Sequence, residues 1–192
     1  MKTYIYMVRH GESPKLEANE RTRGLTDKGK LDTIRVTELL MNEGIDTFVS
    51  SPYSRAMLTI ENLARAQSKE IIVYEDLKEL VFLDEDQIVP EQDLMPTVRR
   101  MFSDPGFSLP GGESLENCQK RVIAIFKDIF NRYKGHKVVI GTHGLVMTLM
   151  MGYFDPQYNL EFLLGTSKPD IYKMEFDESM FQGSKRLWTD PF

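Results

Sequence analysis

The sequence holds one cysteine, Cys118, and one tryptophan, Trp188, in 192 residues. A lone thiol excludes an internal disulfide, and without a second cysteine there is no thiolate zinc site or dithiol redox pair. No stretch approaches the roughly 18 consecutive apolar residues of a membrane helix. The opening MKTYIYMVRHGES has one early basic residue and no small-residue cleavage site. These absences lead to the expectation of a cytoplasmic, unprocessed chain in reducing surroundings. A cationic excess is missing too: 24 Lys and Arg against 29 Asp and Glu leave a net charge of −5, which repels nucleic acid and acidic membranes. An anionic ligand must then be drawn in by a local cluster of charge.

What is present is enough apolar material for a core, 41% of the chain. One domain over residues 1–192 is the expectation for this length, since no internal repeat or low-complexity segment divides it. Thr3 to Val8 read as a buried strand running into Arg9-His10-Gly11. Thr26 is an expected N-cap for a helix to Asn42 or Glu43, closed by Gly44. A strand from Ile45 to Ser50 precedes a helix carrying Ala56, Met57, Ile60, Leu63, Ala64 and Gln67. Glu70 to Tyr74 form a third short strand. Ser114 to Tyr133 place Leu115, Cys118, Val122, Ile125, Phe126, Ile129 and Tyr133 on one helical face. Lys137 to Thr142 read as a strand, Gly144 to about Met151 as a helix and Asp170 to Phe176 as a last strand, with Trp188 in an unassigned tail. Alternating strands and helices predict an α/β fold with a mostly parallel sheet covered on both faces. Residues 84–112, with Pro90, Pro96, Pro105 and Pro110 around a short helical stretch from Thr97 to Phe102, break the alternation and read as an insertion or lid.

In a parallel α/β sheet, ligands bind beyond the carboxyl ends of the strands, where loops meet helix N-termini. Arg9-His10-Gly11-Glu12-Ser13, Ser50-Ser51-Pro52-Tyr53-Ser54-Arg55 and Thr142-His143-Gly144 all fall there. They supply two imidazoles and two guanidiniums, the equipment for holding a phosphate monoester and attacking phosphorus. A neutral imidazole is a good nucleophile near pH 7, which makes His10 the candidate, with Gly11 opening the approach. An alcohol leaving group needs a proton, and Glu79 is the candidate acid, ahead of Glu12, Glu113 and Asp84. Either histidine alone would read as structural; the pair, each followed by glycine at a strand end, reverses that preference. His136 reads as a solvated turn residue, Ser50 and Ser51 as caps of the following helix, Gly111-Gly112-Glu113-Ser114 as a loop and N-cap, and Cys118 as core.

In the order RHGES, LTDKG, SSPYSRAMLT, LKEL, GGES and GTHG, the chain resembles the histidine phosphatase, or phosphoglycerate mutase-like, superfamily over about residues 4 to 150. The resemblance implies a three-layer α/β/α sandwich and a phosphoric monoester hydrolase of the histidine acid phosphatase type. It implies catalysis by His10, Glu79, His143, Arg9 and Arg55, with His10 phosphorylated. Pro14-Lys15 and a short acidic stretch lead to Arg21-Thr22-Arg23-Gly24-Leu25-Thr26, which is more similar to the small phosphohistidine phosphatases and implies Arg23 as a further phosphate ligand. The expected substrate-binding set is Arg9, Arg55, His143, Arg23, Gly144 and Ser13.

The expected activity is metal-independent hydrolysis of a small-molecule phosphomonoester through phosphohistidine, with no cofactor, no nucleic-acid or membrane partner and no oligomeric state fixed by sequence. Acidic Asp84, Glu85 and Asp86 are expected to disfavour polyanionic substrates. Four alternatives stand beside it: a phosphoglycerate mutase, a phosphohistidine-protein phosphatase, a metallohydrolase using His10, Glu12 and His143, and a non-catalytic phosphate-binding module.

Overall fold

The computed structural model of the chain describes residues 1–14, 19–84 and 87–189; Lys15, Glu85 and Asp86 lie outside them. In chain order the elements are β1 (Lys2–Arg9), α1 (Asp27–Leu40), β2 (Thr47–Ser50), α2 (Ser54–Ala66), β3 (Ile71–Val73), α3 (Glu91–Ser103), α4 (Leu115–Arg132), β4 (Lys137–Thr142), α5 (Gly144–Phe154), α6 (Leu160–Gly165), β5 (Asp170–Asp177) and β6 (Met180–Arg186). The six strands form one sheet in the order β3-β2-β4-β1-β5-β6. β3, β2, β4 and β1 pair in parallel, while β5 runs antiparallel to both β1 and β6. The sheet is therefore mixed but mostly parallel.

Successive side chains of a strand point to opposite faces, and β1 shows what that does here. Ile5 and Met7 join a cluster with Val138, Ile140, Cys118, Phe126 and Val146, against α4 and α5. Tyr6 and Val8 join a second cluster with Phe48, Val139, Val36, Ile60 and Leu63, against α1 and α2. Burial on both faces makes the three-layer sandwich. Trp188, only 2% exposed, closes the second cluster beyond the last strand, with the Arg35 guanidinium 5.0 Å from its ring centroid.

The predicted caps at Thr26 and Ser114 form, accepting from the Gly29 and Asn117 N–H groups, and Gly44 takes the left-handed conformation, φ 69°, after a 3-10 turn. Helix α3 is longer than the expected Thr97–Phe102. It tolerates Pro96 in its second turn, where the residue whose carbonyl loses its partner, Gln92, is exposed. Val98 and Met101 of α3 are buried in the first cluster. The excursion that carries α3 returns beside its own start. Glu113 N–H donates to the Val81 carbonyl at 2.7 Å, and a Cβ on Gly112 would sit 2.1 Å from the Phe82 oxygen.

Candidate functional site

β2, β4 and β1 are adjacent, with Ser50 beside Gly141 and Arg9 beside Thr142 in register. Adjacent strands lie about 4.8 Å apart, so the three loops leaving them converge within roughly 10 Å. The ladder continues into the loops: His10 N–H donates to the Thr142 carbonyl and Ser51 N–H to the Gly141 carbonyl, both at 3.0 Å. The His10 and His143 rings consequently meet edge to face, with centroids 5.4 Å apart. Both are buried.

Each ring is fixed by one nitrogen. His10 Nδ1 lies 2.7 Å from the Gly11 carbonyl, which can only accept, so Nδ1 carries the hydrogen and Nε2 keeps its lone pair. His143 Nε2 lies 2.7 Å from Ser51 Oγ, which accepts from Tyr53 N–H and can donate its own hydroxyl hydrogen to Nε2, leaving the ring hydrogen on Nδ1. Ser51 thus holds the second imidazole rather than capping α2, whose N-cap Tyr53 makes no side-chain bond. Tyr53 is a site residue that sequence reasoning missed. Its ring stands 5.1 Å from that of His143 and 4.9 Å from the Arg55 guanidinium.

Gly11 serves a different purpose from the expected one. A Cβ there would meet the Gly29 carbonyl oxygen at 3.3 Å, so its bareness lets the first turn of α1 pack on the loop, while its N–H donates to Thr59 Oγ1. Gly144 opens space for a functional group instead: a Cβ would lie 3.0 Å from Arg9 Nη2.

Arg9 is anchored by donating from Nη1 to the carbonyl and hydroxyl oxygens of Thr166, after α6. Arg55, 1% exposed, donates to the Glu20 carbonyl at 2.6 Å and pairs with the Glu20 carboxylate at 3.0 Å. Arg23 grips the same carboxylate through Nε at 2.8 Å and Nη2 at 3.0 Å, and donates to Ser13 Oγ at 2.7 Å. Arg23 and Ser13 are thus linked to Arg55 through a glutamate the sequence did not single out. Burying a guanidinium disfavours its charge, and the Arg55 pKa falls to about 10.

Five buried side-chain polar atoms lack a partner among the described residues, and four belong to these loops: Arg9 Nε, Arg55 Nε, Thr142 Oγ1 and His143 Nδ1. Buried polar groups are nearly always paired, so such a cluster marks a place built for a polar ligand.

Glu79 sits at the start of α5. Its carboxylate accepts from the N–H groups of Leu80, Leu145 and Val146 at 3.0 to 3.3 Å, directly after His143-Gly144. The other carboxyls are engaged elsewhere: Glu12 Oε1 accepts from Thr26 Oγ1, and Glu113 pairs with Arg121 at 2.7 Å. Arg121 also donates from Nη1 to the Asp76 and Lys78 carbonyls, holding the segment that presents Glu79. His136 is exposed, as expected of a turn residue. Among the described residues no group of three or more His, Cys, Asp or Glu side chains is arranged to hold a metal.

The two histidines carry a stability consequence. Burial first, and then the Arg55 guanidinium, push both pKa values well below the ordinary histidine range. The folded protein therefore keeps both rings neutral where the unfolded chain, with histidines near pKa ~6.5, takes up protons. Stability is intact above that pH and is lost as pH falls below it, by about 1.4 kcal/mol per pH unit for each ring. Urea unfolding at pH 7 and pH 5 is expected to show this loss, and His10→Gln to remove about half of it. An unaltered pH slope in the variant would contradict the assignment.

A family model described as the histidine phosphatase superfamily (branch 1) matches residues 5–186. A phosphoglycerate mutase-like protein 4 of Arabidopsis thaliana is 31% identical, covering 97% of this chain and 84% of its own. A probable phosphoglycerate mutase of Photorhabdus laumondii is 28% identical, covering 77% and 73%. Among solved structures, YhfR of Bacillus stearothermophilus superposes with a TM-score of 0.77 at 24% identity, covering 94% of each chain. A phosphoserine phosphatase variant of Entamoeba histolytica in complex with phosphoserine superposes at 0.77 with 18% identity, covering 95% and 96%. With the family model running through nearly every element that builds the two-histidine site, the chain belongs to the histidine phosphatase superfamily, branch 1.

Proposed function

We propose that the protein is a metal-independent phosphatase that hydrolyses phosphomonoesters through a phosphohistidine on His10. The observation that carries this reading is the meeting of two fixed imidazoles and two arginines with donors left unmatched: Arg9 Nε, Arg55 Nε and His143 Nδ1. Three phosphoryl oxygens offer acceptors for such donors, and arginine's planar fork suits them.

His10 Nε2 attacks phosphorus, and the bond to the ester oxygen breaks as the N–P bond forms. Arg9, Arg55 and His143 balance the charge gathered on the equatorial oxygens, with Arg23, Ser13 and Gly144 bordering the same space. Glu79, entering as the acid, gives its proton to the departing oxygen. Its carboxylate then takes a proton from water, which attacks phosphorus as the N–P bond breaks, releasing inorganic phosphate and returning the lone pair to neutral His10. Residues 84–112 are read as an insertion or lid within one domain spanning 1–192. Brief reaction with a labelled phosphomonoester and quenching in denaturant is expected to leave label on the protein that acid removes and alkali spares. Protein that turns over substrate without ever carrying such label would overturn the reading.

The names of the Arabidopsis and Photorhabdus relatives favour a second reading, transfer of the phosphoryl group within a phosphoglycerate. Release of inorganic phosphate from that compound, measured against formation of its isomer, separates the two.

The Arg121 brace gives a further expectation. Arg121→Met frees the 76–79 segment, and an acid displaced by about 1 Å loses on the order of a hundredfold in rate. The loss should be large for an alkyl phosphate and small for p-nitrophenyl phosphate, whose leaving group departs without a proton. Equal losses would make Arg121 a purely structural strut.

A further inference from the structure

Both arginines at the mouth of the site are already gripping an anion, and that anion belongs to the protein. Glu20 Oε2 lies 3.0 Å from Arg55 Nη2 and 3.0 Å from Arg23 Nη2, while Oε1 lies 2.8 Å from Arg23 Nε. The geometry is that of a fork on a carboxylate, the arrangement a phosphate would adopt on the same donors. Arg55 is 1% exposed whereas the Glu20 side chain is 45% exposed, so the carboxylate covers the buried guanidinium from the solvent side.

The loop that carries Glu20 is itself held in place. The Asn19 side chain accepts from the N–H groups of Arg21 and Thr22, Ser54 N–H donates to the Arg21 carbonyl, and Arg21 forks onto Glu75 at 2.7 and 3.0 Å. Burial by itself would raise the Glu20 pKa, yet the two arginines hold its carboxyl below the usual range, which keeps it charged at working pH.

A phosphoryl dianion and a carboxylate cannot share these donors without like-charge repulsion at close range. We infer that Glu20 is an internal competitor that phosphate must displace from Arg23 and Arg55, and that it sets the affinity of the site for phosphoryl groups. It would weaken binding of free inorganic phosphate most, because a whole substrate brings contacts from its leaving group to offset the displacement. Product inhibition is thereby relieved at the cost of a higher KM.

The inference rests on the reading of Arg55 as a phosphoryl ligand, so the test includes that residue. Inorganic phosphate is titrated into the wild type, Glu20→Gln and Arg55→Met, with affinity read by calorimetry and product inhibition read in turnover. Glu20→Gln keeps the volume, loses the charge and is expected to bind phosphate about five- to tenfold more tightly, with KM falling by a smaller factor. Unchanged or weaker phosphate binding in Glu20→Gln, with binding lost in Arg55→Met, overturns the inference and leaves the phosphatase reading standing. Undiminished binding in Arg55→Met overturns both.

Discussion

His10→Ala is expected to lower hydrolysis of a phosphomonoester by about four orders of magnitude or more, the scale on which removal of an enzyme's nucleophile acts. The geometry leaves no understudy. His10 Nδ1 is committed to the Gly11 carbonyl, which directs the lone pair to Nε2. In His143 the corresponding Nε2 is held by Ser51 Oγ instead. Its ring stands 5.4 Å away, close enough to bond a phosphoryl oxygen held by His10 but fixed in a different orientation. The variant retains Arg9 and Arg55, so it should still bind inorganic phosphate. Retained binding with lost turnover separates a missing nucleophile from a collapsed site. An alanine variant within tenfold of the wild type would mean that phosphorus is attacked by something else.

The second large effect is expected at Glu79, and it depends on the substrate. Glu79→Gln preserves shape but removes the proton, and general acid catalysis contributes typically 10²–10⁴-fold where the leaving group needs it. An alkyl phosphate should lose about that much, while p-nitrophenyl phosphate should lose less than about tenfold. Glu79 also ties down the start of α5 through the Leu145 and Val146 N–H groups, so the amide presents a donor to donors. That costs on the order of 1 kcal/mol of stability whichever substrate is used. Leaving-group dependence therefore reports on proton transfer, and the thermal midpoint reports on the cap. Losses of equal size on both substrates would reduce Glu79 to a helix cap.

The residues that carry these predictions were legible because they sit where local sequence and topology coincide. A buried strand followed by Arg-His-Gly, a strand followed by Ser-Ser-Pro and a strand followed by Thr-His-Gly each announce a loop at a carboxyl edge. Parallel order then brings the three together. The apolar faces of α2 and α4 were equally readable from their spacing, and α1 from its Thr26 cap and Gly44 stop.

What escaped was carried by contacts distant in sequence or by elements without a pattern. Helix α6 has six residues, too few for a period, and its Asn159 cap is its main local mark. Strand β6 is an edge strand, and its run Gln-Gly-Ser-Lys-Arg lacks the alternation of a half-buried strand; it is set by pairing with β5. Missing both elements hid Thr166 and Lys168, which lie between α6 and β5. Lys168 adds to the positive field on His10, and Thr166 anchors Arg9. Glu20 and Arg121 looked like ordinary surface charges, because a carboxylate on two arginines 3 and 35 positions away, or a guanidinium on carbonyls more than 40 positions away, leaves no local trace. Ser51 and Tyr53 were within reach, since they belong to the same motif as Arg55. Capping is the commoner role of a serine before a helix, which masks Ser51, and nothing local marks Tyr53 as a partner of His143.

The most direct test is a crystal structure with vanadate, which takes the trigonal bipyramidal shape of a phosphoryl group in transfer. The expected adduct has vanadium bonded to His10 Nε2, with equatorial oxygens accepting from Arg9, Arg55 and His143. Vanadate bound away from His10, or seated with those three side chains turned to other partners, would contradict the account.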